Sequence, residues 1–335
     1  MDQIGSALVA IVLGVGGLLV YFFGTNISLD KLVPDYPDEE GKIISRENSR
    51  EQIRPWLFIA PAVFLLGVFL VYPALRTTYL SFFDDRSNNF VGLDNYVWAF
   101  KDDGFVLSLQ NNVAWLAIVP LVSTVFGLLI AVLSDRVRWE SAAKSFIFMP
   151  MAISFVGASI IWKFVYAFRA TEQDQIGILN AVVVGLGGEA QTWYTEPPLN
   201  NLMLMIILIW IQTGFAMVLL SAALKNIPGE ILEAARIDGA NEIQVFFQVM
   251  IPQIMGTITV VMTTIIMVVL KVFDIVYTMT DGQFKTEVLG NYMYRWMFRN
   301  FDYGRGSMIA VTIMLAITPI LYWNIREFLR EESVR

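Results

Sequence analysis

The chain of 335 residues contains no cysteine and no histidine. Disulfides, Cys or His metal sites and histidine acid–base chemistry are therefore excluded, while the redox compartment stays undecided. Charged residues make up 16% of the chain, where soluble domains carry about 25%. Positive charge is the scarcer sign, 23 Lys+Arg against 30 Asp+Glu, a formal net charge of −7. The basic stripe of a nucleic-acid binder is missing. So is the phosphate-cradling pattern GxxxxGK[ST], so the chain has no nucleotide loop of that kind.

What remains is apolar: 56% of residues are hydrophobic and the mean hydropathy is +0.59. A membrane helix needs about 20 mostly apolar residues, and seven runs qualify, at about 4–23, 56–80, 111–134, 145–168, 200–224, 254–279 and 306–328. The expected fold class is all-α, a polytopic membrane helix bundle. The first run has no basic region before it and no small-residue cleavage site, so it is expected to stay as an accessory transmembrane helix over 1–23. A polar linker follows over 24–55, with Pro34, Pro37 and Asp38-Glu39-Glu40, and separates it from a six-helix unit over 56–335.

The distribution of basic residues orients these spans. One set of loops holds Lys31, Lys42, Arg46, Arg50, Arg54, Arg136, Arg138, Lys144, Lys225, Arg236, Arg326, Arg330 and Arg335. The other holds Arg86, Lys101, Arg169, Lys285, Arg295, Arg299 and Arg305. The richer set is expected to be cytosolic, with the C-terminus inside and the N-terminus outside. Trp98, Trp193, Tyr194, Tyr292 and Trp296 fall in the outer loops and suit an interfacial aromatic belt. Gly185-Leu186-Gly187-Gly188 echoes a dinucleotide fingerprint but lacks a βαβ context, and reads as a loop.

The most informative segment is polar and lies between two spans on the inner side: NIPGEILEAARIDGANEIQVFFQVMIP, residues 226–252. Asn226 is expected to cap a helix, with Pro228 in its first turn and Glu230 and Glu233 near its positive end. Ala234 and Ala235 are small enough for another surface to approach closely. Gly239 suits a left-handed helix stop, and Asn241 with Gln244 three residues on suits a second cap.

The spacing of Glu233, Ala234, Ala235, Asp238, Gly239, Ala240, Ile251 and Pro252 resembles the EAA loop of ABC importer membrane subunits. The likeness reaches about residues 56–330, through Phe273-Asp274-Ile275-Val276-Tyr277 and Thr280-Asp281-Gly282, and is similar to maltose-type and α-glucoside permeases. Asp281-Gly282-Gln283 departs from the family's Thr-x-Gly-Gly-Pro-like turn, and Asn111-Asn112 stands where the family has Asn-Thr. The resemblance implies a six-helix ABC importer permease core, with the N-terminal helix outside it, in a bacterial plasma (inner) membrane. It implies a transport subunit rather than an enzyme, forming half of a sugar pore among membrane lipid. Partners would be a sister permease in a heterodimer, two ATPase subunits that bind ATP and Mg, and an extracytoplasmic solute-binding protein. No cofactor is expected in this chain, and no nucleic acid. The coupling residues would be Glu230, Glu233, Ala234, Ala235, Asp238 and Gly239. Glu233 would pair with a basic residue of the ATPase, and Asp238 and Gly239 would shape the turn.

Polar interruptions of the flanking spans are candidates for sugar binding, because ionisable groups in a span are costly. They are Gln212-Thr213-Gly214 beside Trp210 and Phe215, and Lys271 and Asp274 followed by Tyr277. Lys271 and Asp274 are spaced i, i+3, which puts them on one helix face, either binding sugar or locking helices as an ion pair. Gln212 reads equally as an interhelical hydrogen bond. Resemblance to the maltose permease adds Ile211, Val268, Val269 and Val272. Several of these are apolar here, which implies a different substrate or a different way of holding it. Lys163 reads as snorkelling to the interface.

Three other readings remain. One is an importer of another solute, such as glycerol phosphate, which calls for a basic cavity. A second is a membrane transferase, for which Asp84-Asp85 and Asp102-Asp103 are the nearest acidic groups. The third is a channel or secondary transporter, which calls for broken helices and internal repeats.

Overall fold

The computed structural model describes residues 2–334 apart from 35, 38–42, 45–46, 136 and 171–172. Lys42, Arg46, Arg136, Arg335 and the acidic run at 38–40 lie outside those residues. The chain divides into two compact units, residues 1–76 and 77–335.

The first unit is a helical hairpin. Helix α1 (Asp2–Leu32) leads through a short antiparallel ribbon, β1 (Tyr36–Pro37) with β2 (Ile43–Ile44), into α2 (Glu47–Leu66). A π-helical turn, Gly67–Val71, continues it into α3 (Tyr72–Leu80), which crosses the unit boundary. Both α1 and α2 run further into the expected 24–55 linker than hydropathy suggests. Polar Asn26, Ser28 and Asp30 lower the hydropathy without breaking the helix, since no proline or glycine lies between Thr25 and Val33. The helices are joined at both levels: Tyr21 donates to Leu57 O at 2.8 Å, Phe22 stacks on Phe58 with centroids 5.0 Å apart, and Arg50 donates to Val33 O at 2.8 Å and lies 3.5 Å from Asp30.

The second unit holds α4 (Asp94–Ala99), α5 (Asp103–Ser134), α6 (Glu140–Phe148), α7 (Phe155–Val165), α8 (Ile178–Gly185), α9 (Leu199–Lys225) and α10 (Gly229–Ile237). These are followed by α11 (Glu242–Gln244), α12 (Ile251–Gln253), α13 (Met255–Leu270), α14 (Asp274–Met279), α15 (Leu289–Tyr294) and α16 (Tyr303–Val334). Among the described residues, five helices are long and apolar enough to span a membrane, and two bent pairs bring the number to seven. That matches the seven apolar runs, but two of the expected spans are not single helices.

The expected span at 145–168 bends by 106° between α6 and α7. Pro150 cannot donate to the helical ladder, the chain tightens into a 3-10 turn over Met149–Ala152, and Ser154 caps α7 by accepting from Gly157 N at 3.1 Å. The run at 254–279 bends by 68° at its start, beside Pro252, and breaks again after Leu270. This second break has no proline or glycine of its own. A neighbour packs against it: a Cβ on Gly290 would lie 2.6 Å from Val272 O, so α15 rests directly on the broken turn.

Helix α9 is the axis of the unit. It packs against α5 where a Cβ on Gly127 would come within 2.5 Å of Ala216 Cβ, and against α6 where one on Gly214 would come within 2.5 Å of Ile147 O. Close backbone approach of this kind is how helices associate in lipid, where burying apolar surface gives little. Trp115, Leu204, Met217, Leu220 and Ile265 fill the core around these crossings. Gly127→Leu should cost about 1–3 kcal/mol by overpacking and lower the melting temperature of the purified protein. Gly185→Ala, with nothing within 4 Å of the added carbon, should leave it unchanged.

Candidate functional site

Segment 226–252 folds into an elbow. Asn226 does not cap the first helix of the loop as expected; it closes the C-terminus of α9, its N–H bonding Ala222 O and Ala223 O. Pro228 takes the capping position of α10 with no side-chain bond, because proline's fixed backbone already suits a helix start. Helix α10 stops where expected. Gly239 has φ +88 and Ala240 N–H bonds back to Ala235 O at 3.0 Å. Asn241 and Gln244 form a reciprocal capping box, with bonds of 2.9 Å each way. Arg236 spans the corner and holds Glu242 with two bonds, of 2.8 and 3.3 Å.

The elbow is stiffened from within and uncovered from without. No residue of α10 is buried; Glu230, Glu233, Ala234, Asp238 and Gly239 are exposed and Ala235 is half-buried. Sequence reasoning overlooked the large apolar side chains beside them: Ile237 is 85% exposed, Ile243 71% and Phe247 64%. Their signal was present as apolar residues in an otherwise polar loop.

The residues expected to bind substrate fall into two groups. On α9, Trp210 packs edge-on against Trp162 at 5.8 Å, Gln212 is buried at 5% exposure and Phe215 is half-buried. Thr213 donates to Ile209 O at 2.7 Å within its own helix. The second group surrounds the break after α13. Val269 is fully buried in the core, Val272 nearly so, Lys271 is exposed and Asp274 half-buried. Lys271 and Asp274 do not share a helix face: Lys271 closes α13 and Asp274 opens α14, where a carboxylate suits the positive helix end. No ion pair joins them among the described residues. Lys271, Val272 and Asp274 border a small enclosed gap with Leu208, and Lys271 also lines a cavity of about 320 Å³ with Phe273, Gly290 and Tyr294. Tyr277 stacks on Phe273 at 5.0 Å and meets Tyr294 at 5.4 Å, with the Arg299 guanidinium 5.4 Å from its ring.

At the end opposite α10, the turn after α14 is held by asparagines. Asp281, Phe284 and Lys285 all have φ between 53 and 62, which is strained for side chains of that size. Asn111 donates to Lys285 O and Glu287 O at 2.9 and 2.8 Å, Asn200 donates to Phe284 O at 2.7 Å, and Asn112 accepts from Leu289 N at 2.7 Å. Glu287 is sealed beneath, 3% exposed, 2.5 Å from Arg295 and bonded by Asn291 at 2.7 Å. Burial raises its carboxyl above the usual range despite Arg295.

The aromatic residues assigned to an interface belt are used in packing. Tyr292 is buried and donates to Asp102 at 2.5 Å, Trp193 donates to Asn180 at 2.9 Å, and Trp98 and Trp296 meet at 4.8 Å with the Arg305 guanidinium over both rings. The two leading acids of a transferase reading are equally occupied. Asp102 caps α5 through Phe105 N at 2.8 Å, and Asp84 holds its own loop through Asn88 N at 2.7 Å.

Residues 123–329, which contain the elbow and both broken spans, match the family model of the binding-protein-dependent transport system inner membrane component. The chain belongs to this family. The permease is 54% identical over 335 residues, 99% of each chain, to the α-glucoside transport system permease protein AglF of Rhizobium meliloti (strain 1021). It is 52% identical to the osmoprotective compounds uptake permease protein GgtC of Synechocystis sp., over 83% of this chain and 100% of that one. A crystal structure of a bacterial ABC transporter for the acidic polysaccharide alginate superposes with a TM-score of 0.72 over 84% of the permease and 98% of that chain, at 20% identity, which establishes a shared fold. The permease is thus a multi-pass membrane transport subunit, and broken helices here do not point to a secondary transporter.

The Glu287 value lies above the ordinary 4.5, so its contribution to stability is whole below 4.5 and is lost as the pH rises through the higher folded value. Glu287→Gln should remove that dependence. Melting curves taken above pH 4.5 should shift in favour of the variant, relative to the wild-type permease, as the pH rises.

Proposed function

We propose that the permease forms one half of the pore of an ATP-driven sugar importer, carries α-glucosides, and couples to a separate ATPase through α10. The observation that carries this reading is the elbow itself: a stiff helix between two spans, with none of its residues buried among the described residues. Its acid and alanine faces fit the role of a plug in a partner's cleft. Glu233 pairs with a basic residue of the ATPase, Glu230 adds to the same charge, and Ala234 and Ala235 allow close seating. Asp238 and Gly239 set the turn.

In this arrangement α10 and the C-terminus face the cytosol and the N-terminus lies outside. A sister permease completes the pore, two ATPase subunits bind ATP and Mg, and an external binding protein delivers the sugar to the outer loops. The permease performs no covalent step; rigid-body motion exposes a midplane site to each side in turn, biased by nucleotide binding elsewhere. Trp210, Gln212, Phe215, Val269, Lys271, Val272, Asp274 and Tyr277 hold the sugar. Irregular backbone at membrane depth is tolerated where it lines a cavity, and the break at 271–273 lies against one. The AglF likeness favours α-glucosides. The GgtC likeness favours a second reading, small osmoprotective compounds. Lys271 close in sequence to Asp274 does not make the basic cavity that a glycerol phosphate importer calls for.

The test is sugar-stimulated ATP hydrolysis and uptake by the reconstituted complex over a panel of α-disaccharides and glucosylated polyols, with glycerol phosphate as the contrast. Stimulation by glycerol phosphate alone would exclude sugar transport. Glu233→Lys should lower uptake at least about tenfold, some 1.4 kcal/mol of coupling, at normal expression. Uptake that survives the change removes the coupling role. Gln212→Ala should weaken or broaden sugar selection, and an unchanged profile across the panel would move the sugar site elsewhere.

A further inference from the structure

Three helices meet beside the elbow in one charged knot. Lys144 of α6 donates to Asp135, the residue that closes α5, at 2.5 Å, and to Glu140, one turn back on its own helix, at 2.5 Å. Its third donor reaches the Ser221 hydroxyl of α9. Ser221 passes its own proton to the same Asp135 oxygen at 2.9 Å. Lys225, the last residue of α9, bonds Glu140 and stands 4.0 Å from Asp135. Two acids and two lysines balance. The Lys144 side chain is only 17% exposed and Asp135 and Glu140 are 21% and 29% exposed, a half-buried centre to which Lys225, 51% exposed, adds a solvent-facing partner.

Its place in the fold gives it leverage. Only Asn226, Ile227 and Pro228 separate Lys225 from α10, and the N–H groups of Asn226 and Ile227 still bond back into α9. Further along α9, Gly214 lies against the backbone at Ile147 and Ala216 against Gly127. Each helix pair, α9 with α5 and α9 with α6, is therefore fixed at two separated points. Apolar contact alone would let the helices rotate about their axes, whereas a lysine with three defined acceptors does not.

We propose that Asp135, Glu140, Lys144, Ser221 and Lys225 form a transmission clasp, which carries displacement of the coupling helix into α5 and α6 as well as α9, so that the three inner ends move as one body. The proposal rests on α10 being the coupling helix. These side chains touch neither sugar nor nucleotide; they are positioning residues.

The experiment uses the whole reconstituted complex and reads ATP hydrolysed per sugar carried, alongside assembly. Lys225→Glu and Glu140→Lys should each raise that ratio by about fivefold or more, the lower end of ordinary coupling energies, in complexes that still assemble. The double exchange should recover part of the loss, by restoring the 140–225 pair while a lysine at 140 still faces Lys144, and Lys225→Arg should leave the ratio unchanged. Lys225→Met is the milder variant where a reversal prevents folding. Because the chain has no cysteine, Glu140→Cys with Lys225→Cys gives a clean pair. Uncoupled when free, it should regain coupling when bridged by a short bis-thiosulfonate spacer. Wild-type ratios in the single variants, additive damage in the double exchange, or arrest of transport by the bridge would each overturn the clasp. Glu233→Lys separates the two failures. If that variant transports normally, the coupling reading falls; if it stops transport while the clasp variants behave as wild type, the clasp alone falls.

Discussion

Everything in the larger unit depends on how closely α9 can approach its neighbours. Two glycine-level contacts, Gly127 against Ala216 and Gly214 against Ile147, bring three helices to backbone distance in a place where water provides no drive to bury them. With 27 residues at about 1.5 Å each, α9 is roughly the thickness of a bilayer with its headgroups. It carries information along that length. Asn200 at one end holds the strained turn after α14, Gln212 lies buried in the middle, and Lys225 at the other end leads into the elbow. A substitution that pushed α9 away from α5 would disturb all three together.

The bends are the complement of this rigidity. A straight apolar helix satisfies its own backbone and offers nothing to a polar solute. The interruptions at 149–154 and 271–273 end one helix and start the next in a new direction. Each interruption is supported by packing, Gly214 beneath Ile147 and Gly290 beneath Val272. The same logic applies at the far end, where Phe284 and Lys285, both at positive φ, are tied down by the side chains of Asn200 and Asn111, and Asp281 by Arg295. Strain is found where the chain must turn sharply between two spans, and hydrogen bonds from neighbouring helices hold it there.

Local chemistry was legible in the sequence, and tertiary chemistry was not. The number of spans followed from hydropathy, and the elbow followed from Gly239, Asn241 and Gln244, whose roles are set within four residues of themselves. The shared face expected for Lys271 and Asp274 is lost at a break that a hydropathy window averages across, and the helix packed against that break, at Gly290, is distant in sequence. What the outer aromatics pack against was equally hidden: a tryptophan reads alike in sequence whether it stands alone or, as Trp98 does, meets another tryptophan and an arginine. Glu287 gave no signal, since an acid in an outer loop is ordinarily solvated. Lys144 and Lys225 were counted toward membrane orientation by charge alone, which could not reveal that both are spent on Asp135 and Glu140.

That last point bears on how a permease of this kind can be driven. A lever works only if it does not flex between the hand and the load. The elbow is braced internally by the capping box and by Arg236 with Glu242, and on its upstream side α10 is joined to α9 at Lys225 through three residues. If Lys225 were free, only the bonds of Ser221 with Lys144 and Asp135, one turn earlier, would hold the α9 terminus to its neighbours. Bonded to Glu140, and through it to Lys144 and Asp135, the same terminus displaces α5 and α6 with it. The bend of 106° between α6 and α7 then converts a push along α6 into a sideways shift of α7. Because α7 borders the small gap beside Lys271 and Asp274 through Phe155, that shift arrives where the broken helix meets the cavity.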